Sequence, residues 1–307
     1  MNHRIRALAT IGAFFTAGLL LAQEVPFVMK LDSNSILVEV SVTDSANKPV
    51  TDLPRDAFRI YEDGKLQELT GFYPVETPYS VLLLFDRSSS TENQWPLLQT
   101  ALDRFFDALK PRDSVSIATF AENTTLRLDW WSLAKGRPAD VLSSVKIGKV
   151  TEFYGAINWS ANRLKKVTTR KGVVVLTDGL DSTGIMRYYP PEVDADFQKL
   201  LRNVRSGGIP YYFVALNTDL NSDKGSDLGR VRMEQLAEAS GGSIAYPLTA
   251  DDIVPFFGKI ADRLGTQYGL AYQQPQSSRD GKKHMIAVRL ADGSLSIHQS
   301  RDSYVSN

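Results

Sequence analysis

The sequence predicts an α/β protein. Its centre is a doubly wound, mostly parallel sheet, and a smaller β-sandwich-like domain flanks it, built jointly by the N- and C-terminal segments. Three observations lead there. Near-continuous apolar runs such as "YSVLLLF" (79–85) and "KGVVVLTD" (171–178) read as strands covered on both faces. Amphipathic helical stretches alternate with those strands from residue 79 to residue 265. Alternating apolar–polar text with short turns occupies both ends of the chain.

The elements follow in order. At the N-terminus a basic stretch, "MNHRIR", precedes an uncharged apolar run of 16 residues and then the polar "QEVPF". This is the layout of a secretory signal peptide over residues 1–22, with Leu20 and Ala22 at the −3 and −1 positions of the cut. The run is shorter than the roughly 20 residues of a usual membrane span, so cleavage is expected rather than a retained anchor. The mature chain is then exported, periplasmic or secreted, with no stable membrane span. From 27 to 76 short strands are expected: "SILVEVSVTD" alternates at period two, and "AFRIYEDGKLQELTGFY" reads as two strands around an Asp-Gly turn.

The α/β unit spans 79–265. Strand 79–85 is followed by a helix in "ENQWPLLQTALDRFFDALK", whose apolar residues recur at helical spacing. Strands at 114–120 and 124–130, a short helix at 139–145 and a helix at 153–167 come next. Strand 171–178, helix 192–207, strand 210–217, helix 230–242, strand 243–248 and helix 250–265 complete it. From 266 to 307 the text returns to β, and it is expected to pair with the N-terminal β segment.

Composition excludes several functions. Lysine plus arginine and aspartate plus glutamate both number 35, so no basic face is available for nucleic acid. There is no cysteine, hence no disulfide, thiolate metal site or cysteine nucleophile. The histidines are His3, His284 and His298, none of them in the α/β unit, so a serine nucleophile would lack its base. A phosphate cradle needs glycines after the first strand, and "FDRSSSTEN" has none.

In a doubly wound sheet, ligands bind outside the carboxyl ends of the strands. Asp86, Ser88 and Ser90 follow strand 79–85, Asp178 follows strand 171–177, and Thr151 precedes the helix before that strand. Two carboxylates and three hydroxyls at one rim suit a hard divalent cation, which takes oxygen ligands. Hydroxyl ligands leave such an ion electron-poor and open to an external carboxylate.

The "DRSSS" stretch has the D-x-S-x-S pattern and resembles von Willebrand factor type A domains. The resemblance covers residues 79–265. It implies a metal-ion-dependent adhesion site formed by Asp86, Ser88, Ser90, Thr151 and Asp178, holding Mg²⁺, Mn²⁺ or Ca²⁺. It also implies a protein partner presenting an Asp or Glu, and no enzymatic activity. Lys149 and Val150 stand where that family usually has glycines before the threonine. The β flanks resemble those of exported type A domain proteins of Acidobacteria. A scaffold with a vestigial site and a hydrolase using the ion to activate water are the competing functions.

Other features carry narrower expectations. Arg87 is expected near the rim, within reach of a partner's acid. Asp181 and Ser182 are expected in a solvated loop rather than around the ion's waters. Trp130 and Trp131 are expected to pack at the end of an edge strand. Arg187, Tyr188 and Tyr189 form a loop near the rim that could meet a partner. Residues 217–227 resemble a Ca²⁺ loop in composition only, and a surface loop is expected there.

Overall fold

The computed structural model describes residues 34–306, apart from 47, 76, 140, 143–144, 168, 184–188, 217–223, 248–251, 253–254, 259 and 261–264. The expected signal peptide, Arg187, Tyr188 and most of the 217–227 loop lie outside the described residues. No helix among the described residues is long and apolar enough to cross a membrane.

The β-rich N-terminus forms β1 (Ser35–Thr43), β2 (Phe58–Glu62), β3 (Lys65–Gln67) and β4 (Leu69–Tyr73). Asp63 and Gly64 both take positive φ, 48° and 78°, which makes the tight turn between β2 and β3. The stretch read as two strands is thus three, because the chain leaves one sheet after Gln67 and enters another at Leu69.

The α/β unit contains β5 (Tyr79–Asp86), α1 (Trp95–Ala108), β6 (Ser114–Phe120), β7 (Thr124–Ser132), α2 (Phe153–Leu164), β8 (Arg170–Thr177), α3 (Ala195–Gly207), β9 (Tyr211–Ala215), α4 (Lys224–Ser240) and β10 (Ser243–Ala245). Residues 255–258 are helical as well. The sheet order is β10-β9-β8-β5-β6-β7, parallel except for β7, which runs antiparallel on the edge beside β6.

Every residue of β5 is buried, and its period of two divides them between two cores. Val81, Leu83 and Phe85 join Leu98 and Phe105 of α1, while Leu82 and Leu84 join Phe153 and Ile157 of α2. No helix forms among the described residues of 139–145. The segment is too short to offset helix nucleation. Leu142 instead buries itself in the α1-side core, with Val141 and Val145 packed against it.

The C-terminal strands are β11 (Gln267–Gln273), β12 (Lys283–Leu290), β13 (Ser296–Gln299) and β14 (Ser303–Val305). They interleave with the N-terminal strands in two four-stranded sheets, ordered β13-β1-β11-β4 and β14-β12-β2-β3. Val38, Val40, Phe58, Ile60, Tyr268 and Ile286 share the core between them.

Along β1, Glu39 points away from that core and meets the α/β unit. Its carboxylate pairs with Arg170 at 3.4 Å and accepts from the Tyr212 hydroxyl at 3.0 Å and the Tyr79 hydroxyl at 3.3 Å. This buried cluster sits at the amino ends of β5 and β8, opposite the rim that carries the candidate site. The sandwich therefore braces the sheet and leaves its carboxyl edge clear.

Candidate metal-binding rim

The strand order reverses between β5 and β8: β6 and β7 extend the sheet one way from β5, and β8, β9 and β10 extend it the other. The crevice of a doubly wound sheet opens at such a point. Asp86 ends β5 and Asp178 follows β8, so their position on the rim is set by two neighbouring buried strands.

Asp86 is fully buried. One of its carboxylate oxygens accepts the Ser88 backbone N–H at 2.9 Å, and the other accepts the Thr177 hydroxyl at 2.7 Å. The Ser90 hydroxyl donates to Asp178 Oδ2 at 2.6 Å and lies 3.0 Å from the Ser88 hydroxyl. The Leu180 backbone N–H donates to Asp178 Oδ1 at 3.1 Å. Asp86, Ser88, Ser90 and Asp178 are thereby brought into one polar cluster. Thr91 fixes the turn from below, donating its hydroxyl to the carbonyls of Asp86 and Ser88 at 3.0 Å each.

Thr151 reaches the same rim from the segment before α2. Its backbone N–H donates to the Ser182 hydroxyl at 2.6 Å, and its carbonyl accepts the Ser182 N–H at 2.8 Å, tying it to the loop that carries Asp178. Glycine supplies the approach at position 148, directly before the two positions, 149 and 150, where the family pattern places it. The Gly148 N–H donates to the Arg87 carbonyl at 2.8 Å, and a β-carbon there would collide with Ala121 and the Glu122 carboxylate.

The electrostatics of the pair are unbalanced. Burial, with the Asp178 charge adding to it, pushes the Asp86 carboxyl up to about 7, and burial also raises Asp178. Hydroxyl and amide donors offset part of this, but no cationic side chain pairs with either carboxylate among the described residues. Two desolvated carboxylates bridged by hydroxyls form an oxygen-only donor set suited to a hard cation.

Several expectations are revised. Arg87 is buried rather than displayed at the rim, with its guanidinium stacked over Trp95 at 3.9 Å. Asp181 is only 5% exposed, so it is no solvated loop residue. Its carboxylate accepts the Tyr154 N–H at 2.8 Å at the start of α2, and the Thr183 N–H at 2.9 Å. Trp130 and Trp131 do pack against the two cores from edge strand β7. Thr177 is the site residue that sequence reasoning missed; its position beside Asp178 in "VVVLTDG" was the available signal.

A second acidic group lies far along the chain in the sandwich, where Glu62, Asp63 and His284 come together. Its atoms are already engaged. Glu62 accepts from the Tyr272 and Tyr304 hydroxyls at 2.6 and 2.8 Å, and the His284 ring nitrogens contact Asp63 at 2.7 Å and Asp280 at 3.0 Å. It is a structural polar cluster.

Residues 81–180 match the family described as von Willebrand factor type A domain, a span that contains the five candidate residues Asp86, Ser88, Ser90, Thr151 and Asp178. Among solved structures, von Willebrand factor type A from Catenulispora acidiphila is 10% identical, with 82% of this chain and 74% of that chain covered and a TM-score of 0.51. The conserved hypothetical protein BatB from Bacteroides thetaiotaomicron is 13% identical over 61% of this chain and 98% of that one, with a TM-score of 0.45. The vWF domain of the type V pili tip protein Mfa5 from Porphyromonas gingivalis is 12% identical over 61% and 94%, also with a TM-score of 0.45. At such identities the likeness concerns the fold. No curated protein matches the chain.

Proposed function

We propose that this protein, through a von Willebrand factor type A domain, is an exported, metal-ion-dependent protein-binding module. Asp86, Ser88, Ser90, Thr151 and Asp178 hold a divalent cation, Mg²⁺ or else Mn²⁺ or Ca²⁺, at the rim. When bound, the ion offers a coordination position to an Asp or Glu carboxylate of a protein partner. One observation carries this reading: two buried carboxylates share one hydrogen-bonded cluster, and no cationic side chain among the described residues balances them.

The chain's own groups have distinct parts. Asp86 and Asp178 supply negative charge, so an incoming carboxylate meets a neutralised rim. Thr177 and the Ser88 N–H orient Asp86, Leu180 N–H orients Asp178, and Ser182 positions Thr151. A binding role is favoured over catalysis because no histidine stands among the described residues of the rim to move a proton beside the two carboxylates. His284 is held between two carboxylates in the sandwich. Export rests on the basic–apolar–polar layout of residues 1–22. The flanking β segments support kinship with the exported type A domain proteins of Acidobacteria.

A thermal-denaturation series with MgCl₂, MnCl₂, CaCl₂ or EDTA tests the reading. A ligand at about 100 times its Kd stabilises by about 2.7 kcal/mol, so the melting temperature should rise by roughly 5–10 °C. Asp86→Ala and Asp178→Ala should abolish the rise. No shift with millimolar metal in the unaltered protein refutes the metal site and leaves the scaffold reading.

A further inference from the structure

Next to the rim, between the end of β6, the start of β7 and residues 145–146, lies a pocket of about 370 Å³. Three cationic side chains line it, Arg87, Arg127 and Lys146, against one carboxylate, Glu122. That carboxylate is turned to the adjoining loop, where it accepts the Lys149 backbone N–H at 2.6 Å. Backbone donors accordingly hold Glu122 below the usual carboxylate range.

Arg87 is the unusual member. It is only 8% exposed, and its Nε donates to the Val145 carbonyl at 3.4 Å while the guanidinium lies on Trp95. Its Nη1 is buried and has no hydrogen-bond partner among the described residues. An unspent donor on a buried cation is costly, and an oxyanion in the pocket would lie beside that charge and those of Arg127 and Lys146. A guanidinium presents two N–H groups in the geometry of a carboxylate, which a lysine cannot do.

The pocket is also joined to the rim through one residue. Arg87 stands between Asp86 and Ser88, its N–H donates to the Phe120 carbonyl at 2.8 Å, and its carbonyl holds Gly148. A ligand group in the pocket and a ligand group at the rim therefore share a single pinned stretch of backbone.

We propose that this pocket is an anion subsite that takes a second acidic side chain of the partner whose first is captured at the rim. It rests on the metal-dependent function proposed above and narrows the partner to an acidic peptide segment with at least two carboxylates. Single acids then bind weakly, and paired acids bind through two anchors at once.

The probe is a hexaglutamate peptide at constant ionic strength, followed by ¹H–¹⁵N spectra of the Arg87 side chain and the Asn123 backbone amide. With EDTA present, the peptide should shift both signals saturably. Arg127 and Lys146 are exposed, so the double variant Arg127→Gln/Lys146→Gln keeps the fold, and it should weaken this binding at least fivefold. Adding Mg²⁺ to the unaltered protein should tighten binding at least tenfold. Absence of a saturable shift in EDTA, or equal binding by the double variant, overturns the subsite and leaves the Mg²⁺ thermal shift untouched. Peptide binding in EDTA without any Mg²⁺ effect overturns the metal-dependent capture instead.

Discussion

In metal-free protein, replacing Asp86 by asparagine should stabilise the fold at pH 8 and leave it almost unchanged at pH 4. The magnitude comes from the site. Burial and the neighbouring Asp178 charge raise the Asp86 carboxyl from 3.8 to about 7 in the folded state. The unfolded chain therefore gives up this proton near pH 4, while the folded chain holds it until about pH 7. Between those values the native state binds more protons than the unfolded one, so stability falls as pH rises. Each pH unit in that window costs about 1.4 kcal/mol, for a total of about 4 kcal/mol. Asparagine keeps the shape, can still accept the Ser88 N–H, and has no charge to desolvate. Urea denaturation and thermal melts in EDTA across pH 4–8 measure the difference, which at pH 8 corresponds to roughly 8–15 °C in favour of Asp86→Asn. With Mg²⁺ the order should invert, because only the unaltered protein retains its full ligand set. Parallel stability curves for the two proteins in EDTA would refute the reasoning, since Asp86 would then carry no buried charge that needs a cation.

Four further outcomes test other parts of the structure. Glu39→Ala removes the buried carboxylate that pairs with Arg170 between the sandwich and the sheet and should cost about 3–5 kcal/mol; a loss under 1 kcal/mol in denaturation would rule out a bracing role. Gly148→Ala forces a β-carbon against Ala121 and should cost about 1–3 kcal/mol while weakening Mg²⁺ binding, and unchanged Mg²⁺ titrations would separate this loop from the rim. Leu83→Ala, at a fully buried position in the central strand, should lose about 2–5 kcal/mol by melting. His284 titrates above its ordinary 6.5, chiefly because of the hydrogen bond to Asp63. Its contribution is thus complete below pH 6.5 and fades as pH rises through the higher folded value, so His284→Gln should lose more stability at pH 5.5 than at pH 9; equal losses would sink this assignment.

Much of the architecture was legible because hydrophobic patterning is a local property. Apolar runs at 79–85 and 171–177 can be satisfied only by strands covered on both faces, and the intervening helices dictate parallel crossovers. Since β5 and β8 end where their apolar runs end, Asp86 and Asp178 were placed at the rim by sequence alone. Residues 139–145 misled for the same reason: Val141, Leu142 and Val145 have helical spacing, yet contact with the core beneath them outweighs so short a helix.

Sequence alone, then, determined which strands are central, which ends carry carboxylates and hydroxyls, and which chemistries lack their residues. Tertiary structure decided what each polar group faces. It buried Arg87 on Trp95 beside a pocket, gave Thr177 to Asp86, and made Asp181 an anchor for α2. It also turned Glu39, one more polar residue of an alternating strand, into the joint between two domains. The reason is range: periodicity records burial within one element, whereas hydrogen bonds and ion pairs join residues as far apart as Glu39 and Tyr212, whose meeting no local pattern encodes.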